Sequence, residues 1–186
     1  PLQAGCSEIV QQSARADATI EKIRHFARKG ESAMQSVNLA DLVREAANLF
    51  VVAHPEAHIA WSGRDSLRQA KVRADAIQIQ QVTFNLLKNA YDAQHAQGNP
   101  AAPIDISIMY REGGYRVAVR DQGSSLKEEH LPRLFEPFFT TKADGLGLGL
   151  ALSKGIIESH GGTLQLEREN DGVCASFWLP EESADE

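Results

Sequence analysis

Apolar and polar positions follow two different periods along the chain, and the changes of period divide it. Residues 8–29 hold no proline or glycine, and Ile9, Ser13, Ala16, Ile20, Ile23 and Ala27 recur at steps of three and four. That is a narrow, coiled-coil-like seam on one long helix. So thin a stripe cannot close a core, so this helix is expected to pack against another, with a homodimer through it as the expected assembly. Gly30 ends the helix, and residues 31–37 read as a linker. Asn38 with Asp41 signals the start of a helix that runs to about Val52. Short strand candidates follow at 58–62 and 70–74, then a long helix at about 75–97 that ends at "QGNPAAP". Alternation in "IDISIMY" (104–110) and "YRVAVRD" (115–121), joined by "REGG", marks a hairpin. Residues 122–146 are loop-like with one short helical piece near 127–134. "GLGLGLALSKGIIESHGG" (145–162) then starts a helix that Gly161 and Gly162 stop. "TLQLEREN" and "VCASFWLP" around Asp171-Gly172 form the last hairpin. The order predicts an α+β fold after the N-terminal helix: a two-layer sandwich whose mainly antiparallel sheet is covered by helices on one face. Its compact unit spans 38–180, with 181–186 as an acidic tail.

Composition narrows the function. With 42% hydrophobic and 24% charged residues in 186, the chain has the make-up of a soluble globular protein of one or two domains. A net charge of −6 argues against a duplex nucleic-acid partner, which would demand a basic stripe. No apolar run approaches the roughly 20 residues that span a bilayer, so no direct membrane insertion is expected. Cys6 and Cys174 lie far apart without C-x-x-C spacing, which points to neither a disulfide framework nor zinc and fits a reducing cytoplasm. The start at Pro1 rather than at an initiator Met suggests a piece of something longer, such as the cytoplasmic part of a membrane-tethered sensor.

Candidate chemistry sits in three segments. From Gly145 and Gly147 a dinucleotide fingerprint would need a third glycine where Leu150 stands, and Lys154 precedes Gly155 instead of following a glycine as in a P-loop. What survives is a general mechanism: glycines let backbone N–H groups approach an anion, and the helix N-terminus behind them adds favourable partial charge. On the glycines alone, a hinge that packs a helix tightly on a sheet is an equal alternative. In "QQVTFNLLKNAYDA", Asn85 and Asn89 are one turn apart with Asp92 three residues beyond, while Val82, Leu86, Leu87 and Ala90 supply the buried side. Asn is uncommon inside helices, so this row is either a solvated face or a set of oxygen ligands for magnesium beside a polyphosphate. Asp121, at a strand end before "QGS", either opens a turn or accepts a hydrogen bond from an exocyclic amine such as that of adenine.

Taken in order, the Asn-rich helix, the strand-end Asp-x-Gly, "LFEPFFTTK" and "GLGLGLALSKGIIESHGG" resemble the N, G1, F and G2 boxes of the GHKL ATPase superfamily. The closest likeness is to the catalytic ATP-binding domain of two-component sensor histidine kinases of the nitrogen- and oxygen-sensor type. It covers about residues 38–180. The resemblance implies that ATP and Mg2+ are bound. Asn89 would be the principal magnesium ligand and, with Lys142, a catalytic residue. Asn85 would assist at the metal, with Lys88 and Asp92 near the phosphates. Asp121 would read the adenine amine, with Gly123 beneath the ring. Residues 122–146 would form a mobile lid anchored by Phe135, Phe138 and Phe139, from which Lys142 reaches the terminal phosphate, with Thr141 also among the ATP-binding residues. The backbone from Gly145 through Leu146, Gly147 and Leu148 to Gly149 would hold the phosphates. Residues 1–30 resemble the second helix of the dimerisation and histidine-phosphotransfer hairpin. The implied partner is a response-regulator receiver domain.

Two departures qualify the likeness. His25, His54, His58, His95, His130 and His160 all lack the acidic residue and proline that follow the phosphoacceptor of the family, so no phosphoacceptor is expected in this chain and the fragment is not expected to autophosphorylate. His160 is expected to cap the helix C-terminus, where positive charge is favoured. The family box D-x-G-x-G ends here in Ser125, where a Cβ alters the path if positive φ is required. A degenerate, non-catalytic scaffold of the same fold, or a GHKL kinase acting on serine, are therefore the competing readings.

Overall fold

The computed structural model describes residues 33–62, 70–123, 126–142, 145–169 and 172–183. The N-terminal helix, its seam and Ser125 lie outside them. In chain order the elements are β1 (Gln35–Asn38), α1 (Leu39–Ala53), β2 (His58–Ser62), β3 (Lys71–Ala74), α2 (Ala76–Ala96), β4 (Pro103–Arg111), β5 (Gly114–Arg120), a 3-10 turn (Glu128–Arg133), α3 (Gly149–Ser159), β6 (Thr163–Glu169) and β7 (Gly172–Pro180).

Five strands form one sheet in the order β2-β4-β5-β7-β6. The β4–β5, β5–β7 and β6–β7 pairs are antiparallel, whereas β2 joins the edge parallel to β4. Alternation sorts the faces: Ile104, Ile106, Ile108, Val117, Val119, Phe177 and Leu179 are buried in the core, while Asp105, Arg116, Arg120 and Glu167 carry ion pairs and hydrogen bonds on the other face. The helices cover the first face, which is the two-layer α+β arrangement that the pattern predicts.

Each helix start has a local cause. Asn38 caps α1 by accepting the Ala40 N–H at 3.0 Å. Asp75 caps α2 by accepting the N–H groups of Ile77 and Gln78. Between α1 and α2, the Phe50 ring meets Phe84 at 5.2 Å and Tyr91 at 5.8 Å, and His54 and His95 stack on Tyr91. These two histidines thus belong to an aromatic seam.

One expectation changes. The end of the segment read as a linker is strand β1, which pairs antiparallel with β3 from Gln35↔Ala74 to Asn38↔Lys71. Four residues held by a distant partner leave no periodic signal of their own. In the glycine motif the helix begins at Gly149, behind Gly145 and Gly147 as expected, because Gly147 has φ +66°, outside the right-handed helical region.

Candidate functional site

A cleft of about 960 Å³ opens between α2, the N-terminal end of α3 and the chain from Leu126 to Lys142. Its wall on α2 is the polar row. Val82, Leu86, Leu87 and Ala90 are buried on one side of the helix, and Asn85, Asn89 and Asp92 line the cleft on the other. The Asn85 Nδ2 donates to Ser153 Oγ on α3 at 2.9 Å. Its Oδ1 is left facing Gly149, where an added Cβ would stand only 2.5 Å away. A side chain at Gly149 would therefore push the Asn85 amide from its place, and Ser153 fixes which end of that amide points where. Ser153 is a site residue that the sequence reading missed, although it follows Gly149 by four residues and so shares its helix face.

Charge gathers at the next turn. Asp92 pairs with Lys88, one turn back on α2, and with Lys142 Nζ at 2.8 Å. The same ammonium donates to Asn89 Oδ1 at 3.1 Å. Burial raises the Asp92 carboxyl, but the two lysines outweigh it and hold the group below its usual range.

At the far end, the Asp121 N–H is fixed by the Val173 carbonyl at 3.0 Å. Its Oδ1 accepts the Gly123 N–H at 2.7 Å, a local turn of the kind Asp favours. Burial pushes its carboxyl up to about 6, against the pull of hydrogen bonds from Gly123 and Val173 and the charge of Lys142. Gly123 is itself buried and backs onto Ala93 of α2 rather than lining the cleft.

The glycine loop closes the cleft. Gly147 accepts the Phe138 N–H at 2.9 Å. A Cβ on it would sit 2.5 Å from the Phe138 carbonyl carbon, at a φ that side chains rarely adopt. Gly145, Leu146, Leu148, Thr141 and Phe139 all line the cleft, with Leu148 buried at 3% exposure as the anchor of the loop. No side chain caps α3, so its first-turn N–H groups are available to an anion.

Of the three phenylalanines expected as anchors, two are packed. Phe139 lies under the Arg133 guanidinium at 4.4 Å, and Phe135 packs against the core with Lys154 over its ring. Phe138 does not anchor: it is 70% exposed, at φ 67°, because its backbone bond to Gly147 turns the ring outward. His160 also differs in detail. It ends α3 as expected, but Nδ1 faces the Ile156 carbonyl at 2.7 Å and Nε2 accepts the Asp75 N–H at 3.0 Å. That pair of partners is satisfied by the neutral ring, not by a cation.

Among the described residues no cluster of three or more His, Cys, Asp or Glu side chains is placed to hold a metal. The hard oxygens of Asn85, Asn89 and Asp92 nevertheless suit magnesium, which completes its shell with water and phosphate oxygens. No helix of the described residues is long and apolar enough to cross a membrane.

Comparison with known proteins gives the family. The family described as histidine kinase-, DNA gyrase B- and HSP90-like ATPase matches residues 74–183. The sensor protein FixL of Bradyrhizobium diazoefficiens is 33% identical over all 186 residues, which correspond to 36% of its own length. The catalytic domain of the histidine kinase ThkA, nucleotide free, superposes with a TM-score of 0.68 at 33% identity, over 80% of this chain and 95% of that one. ThkA in complex with the response regulator protein TrrA gives 0.73 at 28% identity, over 94% and 49%. Full-length ShkA in complex with AMPPNP gives 0.76 at 25% identity, over 100% and 40%. The chain thus spans about a third of the curated relative it matches, and over 110 of its residues, the polar helix, the strand-end carboxylate and the glycine loop included, it belongs to the histidine kinase-, DNA gyrase B- and HSP90-like ATPase family.

Proposed function

We propose that this chain is the ATP-binding catalytic portion of a cytoplasmic two-component sensor histidine kinase. It would pass the γ-phosphoryl of ATP to a histidine outside the motifs present here, and from there to an aspartate on a response regulator. The observation that carries this is the cleft itself, which gathers Asn85, Asn89, Asp92, Asp121 and Lys142 against the uncapped start of α3. The AMPPNP bound by ShkA and the regulator bound by ThkA support the same reading. Asp121, as an acceptor, suits the adenine amine and repels the O6 of guanine. Asn89 and Asn85 would hold magnesium, whose charge would neutralise the phosphates. Lys142 and the first-turn N–H groups of α3 position and stabilise the transferring group, which is most of what phosphoryl transfer asks of a protein. Residues 122–146 would cover the nucleotide, and the seam on residues 9–27 would support a homodimer, testable by sedimentation at several concentrations.

Calorimetric titration with ATP and magnesium tests the reading. The parent should bind ATP in preference to GTP, and Asn89→Asp and Asp121→Asn should each lose about tenfold or more in affinity, about 1.4 kcal/mol. No binding by the parent, with binding restored by Ser125→Gly, would favour the scaffold instead.

A further inference from the structure

Lys142 is bound in an unusual way. It comes from the chain before α3, yet its ammonium reaches two side chains of α2 that lie 53 and 50 residues earlier, Asn89 Oδ1 at 3.1 Å and Asp92 Oδ2 at 2.8 Å. A carboxamide oxygen and a carboxylate oxygen converging on one positive charge form the donor pair that a hard divalent cation would take. Asp92 is also pinned from the other side, because Lys88 holds its second oxygen. Lys88 therefore holds the carboxylate in place if Lys142 moves away.

We propose that Lys142 is a tethered stand-in for the divalent cation, which in the nucleotide-free protein latches the segment 126–142 onto α2 and covers the oxygen of Asn89. Asp92 is the post of the latch, a positioning residue rather than a ligand of the nucleotide. This rests on the nucleotide-binding reading above and deepens it. While Lys142 stays on Asn89, a free cation meets an oxygen already engaged and a carboxylate already neutralised by two lysines. The polyphosphate offers Lys142 a stronger partner, so its arrival releases Asn89. Nucleotide and metal then bind together rather than metal first, and the same event lifts the tether from the segment.

The test uses Mn2+ alone, titrated into the nucleotide-free chain and read by water-proton relaxation. Lys142→Met should bind Mn2+ about fivefold or more tighter than the parent, the scale of one partly exposed ion pair. Lys88→Met makes the same charge change without touching Asn89 and should gain less, and Asp92→Asn in the Lys142→Met background should cancel the gain. In parallel, exchange of the Phe138 and Phe139 amides should quicken in nucleotide-free Lys142→Met and in Asp92→Asn. An unchanged Mn2+ affinity for Lys142→Met, or an equal gain for Lys88→Met, overturns the latch. So do unchanged exchange rates. Parent binding of ATP with magnesium while these arms fail would sink the latch alone. Failure of that ATP titration while the Mn2+ arms behave as stated would sink the nucleotide reading instead.

Discussion

Asp121 shows how one side chain couples recognition to stability. Its carboxyl sits near 6 because burial disfavours its charge. As an acceptor it must be ionised, so ATP affinity should fall as the pH drops through about 6, and a calorimetric pH series on the parent should show that decline. Stability runs the other way. A folded value above the ordinary 3.8 means that the folded state holds this proton more tightly, so this group's contribution is present below 3.8 and lost as the pH rises to about 6. Asp121→Asn should therefore melt at or above the parent temperature at pH 7 to 8 while binding ATP poorly. Parallel loss of both would show that the carboxylate is structural. Ser153 gives a second residue-level outcome. Ser153→Ala removes the partner that orients the half-buried Nδ2 of Asn85. Affinity for ATP should fall while the urea midpoint moves little, because the freed amide can turn toward the open cleft and be solvated. The polar row on α2 was legible from the spacing of Asn85, Asn89 and Asp92. Ser153 was not, since a lone serine on an amphipathic helix carries no signal until its partner on another element is known.

At the scale of elements, pattern was most informative where strands alternate and helices are capped by their own sequence. The spans of α1, α2 and both hairpins were legible to within a residue or two for that reason. Features made by distant pairing were hidden: β1, which exists only against β3, and the parallel seat of β2 beside β4. The start of α3 is set by a single dihedral, that of Gly147. Gly147→Ala should therefore weaken ATP binding more than it lowers stability, since the strain falls on the loop at the phosphate end rather than on the core. Calorimetry and thermal melts on one preparation would check that. His160 links two elements end to end, the last turn of α3 and the cap residue of α2. His160→Ala orphans the Asp75 N–H and should cost about 1–3 kcal/mol in urea unfolding. A cost near zero would show that water replaces the ring.

Across the whole molecule, each of the five described histidines has a packing or hydrogen-bonding neighbour. His54 and His95 are stacked in the aromatic seam between α1 and α2. His160 is 5% exposed with both ring nitrogens engaged. His130 lies against Phe139 and beside Glu129, and the His58 Nδ1 is bonded to the Glu56 carbonyl at 3.0 Å. A phosphoacceptor must instead offer a free imidazole nitrogen to the γ-phosphorus, with an acidic neighbour to take its proton; in the family that acidic residue and a proline follow the histidine in sequence, and none of these five is followed by that pattern. His25, outside the described residues, lacks the motif in its sequence. The whole chain incubated with labelled ATP and magnesium should therefore bind nucleotide yet acquire no acid-labile phosphate. Adding a separate hairpin that carries the H-E-x-x-x-P-L motif tests the other half of the argument, because label should then appear on that hairpin and depend on Asn89. Phosphohistidine on this chain alone would show that one of its six histidines serves as acceptor without the family motif.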